Sequence, residues 1–375
     1  VLITSPIHAD TFPSFAVAQS EATDFESREA EAANSRVAQL PDAQFNPREP
    51  IRPFESTPEK AVKVPGFQPT KVLTTRGRVS ALTFSRDGSR LIVGEDKPSL
   101  TVWDTKSTKP LRTLNLSSAV LLGMTKEGRL VAATRDGDIC VYDGQTLEQL
   151  SKFETKIAFR SMSTFGQSVL TGSEDGIVHV WDLNRETSIA TSKSIQEPIH
   201  WLARTQNGSR TFAATKSGRL GTWGSLDEFP EVRKVSRSPI LSIAFSLNGD
   251  SLAIADQKNL VRVRNLKTWR SIWQLQLADD WRPGPMSFSP DEAYFVSTGV
   301  RDTTGGGGTD ESNSEIKIYD MTTRRLAGRL LGQSSPVEAI EVSPLGDYVA
   351  TVDATGDIRL WRSPFKMIDE YRLQE

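Results

Sequence analysis

The sequence predicts an all-β protein: a seven-bladed β-propeller of four-stranded antiparallel blades, preceded by a mostly irregular N-terminal arm. Two markers that recur in step carry this expectation, together with a change of composition near residue 69. The first marker is an aromatic closing a short apolar run, at Trp103, Tyr142, Trp181, Trp223, Tyr319 and Trp361, with Arg264 holding the equivalent place in the fifth unit. Successive spacings are 39, 39, 42, 41, 55 and 42 residues, and a period of about 40–45 residues is the length of one four-stranded blade. The second marker is a polar turn ahead of each aromatic, at Gly88, Gly128, Gly166, Gly208, Gly249, Glu292 and Gly346. Two markers with one period define real repeats.

Residues 1–69 read differently. The first sixty hold ten acidic and five basic side chains, and seven of the chain's 20 prolines fall between Pro41 and Pro69. Each proline ring removes a backbone donor, so this stretch is expected to be an extended, flexible arm. Thr23 or Asp24 can cap a short helix over 23–40. The chain opens at Val1, where the start of a fragment is favoured over the tail of a signal sequence ending near Ala9.

From residue 70 to 375 the text is strand-like. In the third unit two apolar runs, Ser168–Gly172 and Ile177–Trp181, flank Ser-Glu-Asp-Gly, a tight-hairpin signal. A polar outer strand is expected after each aromatic, as at Pro110–Leu116, Leu147–Glu154 and Arg325–Leu331. Thr70–Gly77 resembles those outer strands. Pairing it with the last blade would close the ring with both ends of the chain and remove two exposed sheet edges. Met367–Leu373 is the competing, less favoured candidate for that edge.

The run F-S-R-D-G-S-R-L-I-V-G with L-T-V-W-D, and V-L-T-G-S-E-D-G-I-V-H-V-W-D in the third unit, resemble WD40 repeats over residues 70–362. Aspartate follows the aromatic at Asp104, Asp143, Asp182 and Asp320. The resemblance implies that Asp175 in the tight turn, Thr171 in the second strand and Trp181 belong to a buried hydrogen-bonded set. The histidine of that set is missing, since the chain holds only His8, His179 and His200.

The 55-residue interval marks the candidate site. Between the second and third strands of the sixth unit lies Gly299–Ser314, with four consecutive glycines and the acidic residues Asp302, Asp310 and Glu311. This composition cannot bury apolar surface, and the loop is expected to be mobile. It lies on the face that carries the turns entering each first strand, which in WD40 relatives is the usual place for partner binding. Trp281 and Arg282 enter the same unit on the same face, and Trp and Arg dominate binding energy at protein interfaces. The plain alternative is that Trp281 packs over the end of its own blade. Trp269 and Trp273, in an outer-strand position, are expected to cover the fifth blade.

Several chemistries find no support. Asp302, Asp310 and Glu311 lack the alternate spacing of a calcium loop, and the glycine run lacks the Lys-Ser/Thr ending of a phosphate loop. No Gly-x-Ser-x-Gly elbow and no paired histidines occur, so neither a catalytic residue, a metal nor a cofactor is assigned. A net charge of −2 argues against nucleic acid as a partner. No run of about 18 apolar residues is present, so no membrane span is expected. The single cysteine, Cys140, excludes an intrachain disulfide and is expected to be a small buried side chain. The chain is therefore expected to be a non-enzymatic scaffold for protein or peptide partners, with a cytoplasmic setting favoured over export. A propeller enzyme or small-ligand sensor using carboxylates around the central channel is the second reading. No pattern specifies a partner, an oligomeric state, or whether the arm tethers the ring to a further domain.

Overall fold

Each apolar run forms a strand, and consecutive strands pair antiparallel into seven sheets in a computed structural model. It describes residues 3–4 and 64–373, apart from residues 76, 96–98, 117–118, 135–136, 206, 302–313 and 334. The helix expected over 23–40 lies outside the described residues. Blade one comprises Val79–Phe84, Arg90–Glu95, Ser99–Asp104 and Pro110–Asn115. Blades two to six repeat that order, beginning at Ala119, Phe159, Trp201, Ile240 and Trp281. The first strands lie around a central channel, where Ile3–Thr4 pairs antiparallel with Met162 and Ser163 of blade three.

Burial explains the residue pattern. A middle strand is covered by blades on both sides, so Ser251–Asp256 is buried throughout, whereas the outermost Thr187–Thr191 is exposed throughout. The core is correspondingly a set of interblade layers. Ile92, Leu100 and Val102 of blade one pack with Leu122, Leu130 and Tyr142 of blade two. Buried Cys140 sits in that layer, and burial pushes its thiol pKa up.

The aspartate after each aromatic has a local task. Oδ1 of Asp143 accepts the backbone N–H groups of Gln145 and Thr146, at 2.8 and 2.7 Å, and Oδ1 of Asp182 accepts those of Asn184 and Arg185, at 2.8 and 2.9 Å. Asp320 and Asp104 close their turns likewise, and Asn265 does so in blade five. Such a side chain replaces a backbone acceptor in the tight turn to the outer strand. The amides of Thr146 and Arg185 hold the Asp143 and Asp182 carboxyls below their ordinary pKa. A depressed folded pKa contributes stability that is present above the ordinary aspartate value and lost as pH falls through the folded one. Melting temperature is therefore expected to fall below about pH 4, and Asp182→Asn, which keeps the acceptor, should flatten part of that fall in a pH series of thermal melts.

The family-like hydrogen-bonded set of blade three is partly assembled. Trp181 Nε1 donates to Thr171 Oγ1 at 2.9 Å. Asp175 does not join them; its carboxylate accepts from Ser173 Oγ, and its backbone carbonyl accepts from Ser194 Oγ at 2.6 Å. His179 stacks on Trp181 at 5.9 Å, and burial lowers its pKa.

Blade seven (Val337–Val342, Tyr348–Asp353, Asp357–Arg362) takes its fourth strand from the N-terminal side: Lys71–Thr74 runs antiparallel to Asp357–Arg362. Pairing starts upstream, where Gly66–Phe67 lies parallel to the outer strand of blade six and Leu331 N donates to Phe67 O at 2.8 Å. Trp361, 1% exposed, donates from Nε1 to the same carbonyl at 3.2 Å. Met367–Leu373 forms no strand. It belongs to helix α1 (Pro364–Arg372) and its cap, with proline in the first turn where a missing N–H costs nothing. Phe365 and Ile368, three apart, face blade six, where Phe365 stacks on Tyr294 at 5.3 Å and Arg372 pairs with Asp320 at 2.6 Å.

Candidate protein-interaction site

Trp281 begins the first strand of blade six, directly across from Arg301 at the end of the second. The indole is half-buried, with the Arg301 guanidinium 5.2 Å and Lys317 Nζ 5.6 Å from its ring centroid. Two acids hold these cations: Asp280 lies 3.1 Å from Arg301 and Glu315 lies 2.6 Å from Lys317. Gly299 makes room for the arrangement, because a Cβ there would meet the indole at 3.1 Å. Trp281 thus packs across its own blade, and it also walls a groove of about 190 Å³ with Leu275, Leu277 and Tyr319.

Arg282 does not join this cluster. Successive strand residues point to opposite faces of the sheet, so the exposed Arg282 projects away from the Trp281 side. The sequence paired Trp281 with its chain neighbour; the sheet pairs it with Arg301 and Lys317. Alternation in Glu315-Ile-Lys317-Ile-Tyr319 was the available signal, since it places Glu315, Lys317 and Tyr319 on one face. Asp302, Asp310 and Glu311 lie outside the described residues. The strands that flank them end at Arg301 and begin at Ser314, beside Trp281.

The remaining tryptophans of the neighbourhood are structural. Trp273, 6% exposed, packs on Tyr319 and Phe295 with centroids 4.9 and 5.8 Å apart. Trp269 precedes the outer strand rather than lying in it, and the Arg233 guanidinium covers its ring at 4.7 Å. Of the repeat aromatics, Tyr142, Trp181, Trp223, Tyr319 and Trp361 are buried and Trp103 is half-buried in the layer between blades seven and one.

Comparison with known proteins agrees with this architecture. The family model for the WD domain, G-beta repeat, matches residues 151–182, the outer strand of blade two and the first three strands of blade three. Arabidopsis thaliana autophagy-related protein 16 is 22% identical over 318 residues, covering 80% of this chain and 58% of that protein. The chain is a WD40-repeat β-propeller. The WD repeat-containing protein 55 homolog of Drosophila erecta is 23% identical over 266 residues, covering 69% of this chain and 51% of that protein. The chain thus spans about half the length of these curated relatives. Among solved structures, the β-propeller domain of Myceliophteria thermophila Cps50 (Swd1) superposes with a TM-score of 0.66 at 16% identity, covering 78% of the WD40 chain and 98% of that domain. A chain of the mitotic checkpoint complex gives 0.65 at 16% identity, covering 79% and 95%. Among the described residues, no helix is long and apolar enough to cross a membrane.

Proposed function

We propose that this WD40 propeller is a non-enzymatic scaffold that presents a rigid surface to protein or peptide partners, with the Trp281 edge of blade six as a contact. The observation that carries the reading is the held indole: Trp281 lies between Arg301 and Lys317 beside an open groove, at the strand end formed by Arg301. An aromatic fixed by its own blade meets a partner with little loss of side-chain freedom, which is the condition for a binding hot spot. A chain of the same fold serves within an assembly in the mitotic checkpoint complex, which supports protein partners as the class.

Affinity capture with crosslinking, quantified for the wild type and variants, tests the assignment. Trp281→Ala is expected to weaken capture about tenfold, the loss of ~1.4 kcal/mol at one interface residue. Gly299→Val should weaken it as well by displacing the indole, while both variants keep a cooperative thermal transition. Undiminished capture by a folded Trp281→Ala protein would remove blade six from the contact. Arg282→Ala probes the opposite side of the strand. It should weaken capture only if the partner also wraps the other face.

A further inference from the structure

Blade six already carries a fifth strand, and its bonding defines what such a strand needs. Gly66–Phe67 runs parallel to Leu326–Leu330, and the amides of Arg329 and Leu331 donate to the carbonyls of Pro65 and Phe67 at 2.9 and 2.8 Å. The Phe67 ring lies against Gly328, where a Cβ would meet it at 3.1 Å. Its carbonyl accepts a second bond, from Nε1 of Trp361 in the next blade. The edge thus offers two outward amides, a small residue as a seat, and an indole N–H from its neighbour.

Register locates the same seat in every blade, because the residue before the closing aromatic position faces it across the ladder. The seat is charged in blades one, four and seven, at Arg112, Glu231 and Lys71, and Trp273 fills it in blade five. Apart from Gly328, only Ser151 of blade two and Ala190 of blade three are small. Trp181, the neighbour of Ser151, already donates to Thr171. Trp223, the neighbour of Ala190, is 1% exposed, and its Nε1 has no hydrogen-bond partner. Leaving a buried donor unpaired is costly. Val180, opposite Ala190, packs in one apolar layer with Trp223, so the seat is on the face turned to that indole. The strand itself, Thr187–Thr191, is exposed throughout and carries neither charge nor proline, the residues that commonly blunt a free edge. The amides of Thr191 and Lys193 stand where blade six has those of Arg329 and Leu331, while Ser192 between them donates inward to Val178.

We propose that the outer edge of blade three is a docking edge, separate from Trp281, that takes an extended segment of a protein partner as a parallel fifth strand. The chemistry of that segment follows from its counterpart on blade six. It is uncharged where it pairs and places one large apolar side chain over Ala190, and the carbonyl of that residue accepts from Lys193 N and Trp223 Nε1. Main-chain bonds supply the affinity and the seated side chain the selection.

The strand on blade six supplies the probe: acetyl-Val-Pro-Gly-Phe-Gln-amide, the sequence of residues 64–68, titrated into the isotope-labelled full chain and followed by NMR. Binding is expected with a Kd on the order of 1 mM, with shifts at the amides of Thr191 and Lys193 and at the indole N–H of Trp223. Phe67→Ser in the peptide, or Ala190→Arg or Trp223→Phe in the protein, should each weaken binding about tenfold. Ala190 is exposed, so Ala190→Arg should melt as the wild type does. Trp281→Ala should bind the peptide unchanged, which separates this edge from the contact on blade six. Shifts at Arg329 and Leu331 in place of Thr191 and Lys193 would mean strand exchange on blade six and would overturn the proposal. So would full binding by Ala190→Arg or Trp223→Phe, or no shifts at about 10 mM peptide.

Discussion

Trp361→Ala is expected to destabilise the propeller by about 3–5 kcal/mol, the cost of deleting a large aromatic from a packed core. The side chain is 1% exposed and belongs to the layer formed by Val296, Ile318, Val349 and Ile368. Its Nε1 also holds the carbonyl of Phe67, so the substitution releases the N-terminal segment as well as opening a cavity. Two readouts separate these effects. The denaturation midpoint should fall, and protease cleavage between residues 65 and 75 should speed up relative to an equally destabilised variant of blade three, such as Met162→Ala. Trp269→Ala, at a half-buried ring under Arg233, provides the contrast and should cost less than about 1.5 kcal/mol. A loss under 1 kcal/mol for Trp361→Ala would mean that closure does not depend on this residue.

Asp353→Ala is the second large effect. The Asp353 and Arg359 side chains are 0% and 7% exposed and form an ion pair at the end of the second and third strands of blade seven. Asp353 also accepts the N–H groups of Thr355 and Asp357, at 3.0 and 3.1 Å. Burial alone would raise its pKa, but the Thr355 hydroxyl and the Arg359 guanidinium outweigh it and hold the carboxyl below the ordinary value. Removing the Asp353 carboxylate takes a buried, hydrogen-bonded charge partner from the Arg359 guanidinium, at about 3–5 kcal/mol. The folded pKa is depressed, so this contribution exists above the ordinary aspartate pKa and is lost as pH falls through the folded one. The gap in melting temperature between wild type and Asp353→Ala should therefore narrow in acid. The double variant Asp353→Leu with Arg359→Met should recover much of the loss, because apolar side chains of similar volume replace a buried pair with little net change.

Periodicity made the architecture legible, and register carried what periodicity hid. Tyr142 and Trp361 occupy one place in their blades because both end a run of the same length, a relation visible in a single sequence. Thr70–Gly77 was recognisable because its alternation copies the outer strands. Asp353 and Arg359 were not singled out as a pair, although Asp256 and Arg262 repeat them in blade five at 3.3 Å. Six positions separate the two residues in each, and only the hairpin between them brings the charges together. Arg282 follows Trp281 in the chain, and the pleat turns the two toward opposite faces of the sheet. In α1, the three-residue spacing of Phe365 and Ile368 is helical and places both against blade six.

The N-terminal closing strand also dictates an order of events. Thr75 and Gly356, joined by a hydrogen bond across blade seven, are 281 residues apart. Joining points that distant in an unordered chain costs about 5 kcal/mol of loop entropy. Blades one to six can each zip from their own hairpins as the chain emerges, shortening the effective loop, so blade seven completes last. Until then Lys71–Thr74 waits as an unpaired strand, and a second chain offering its own copy of Asp357–Arg362 competes for it. The rate of that final step relative to encounter with a second chain decides between a closed ring and a domain-swapped dimer, and refolding at high dilution should favour the ring.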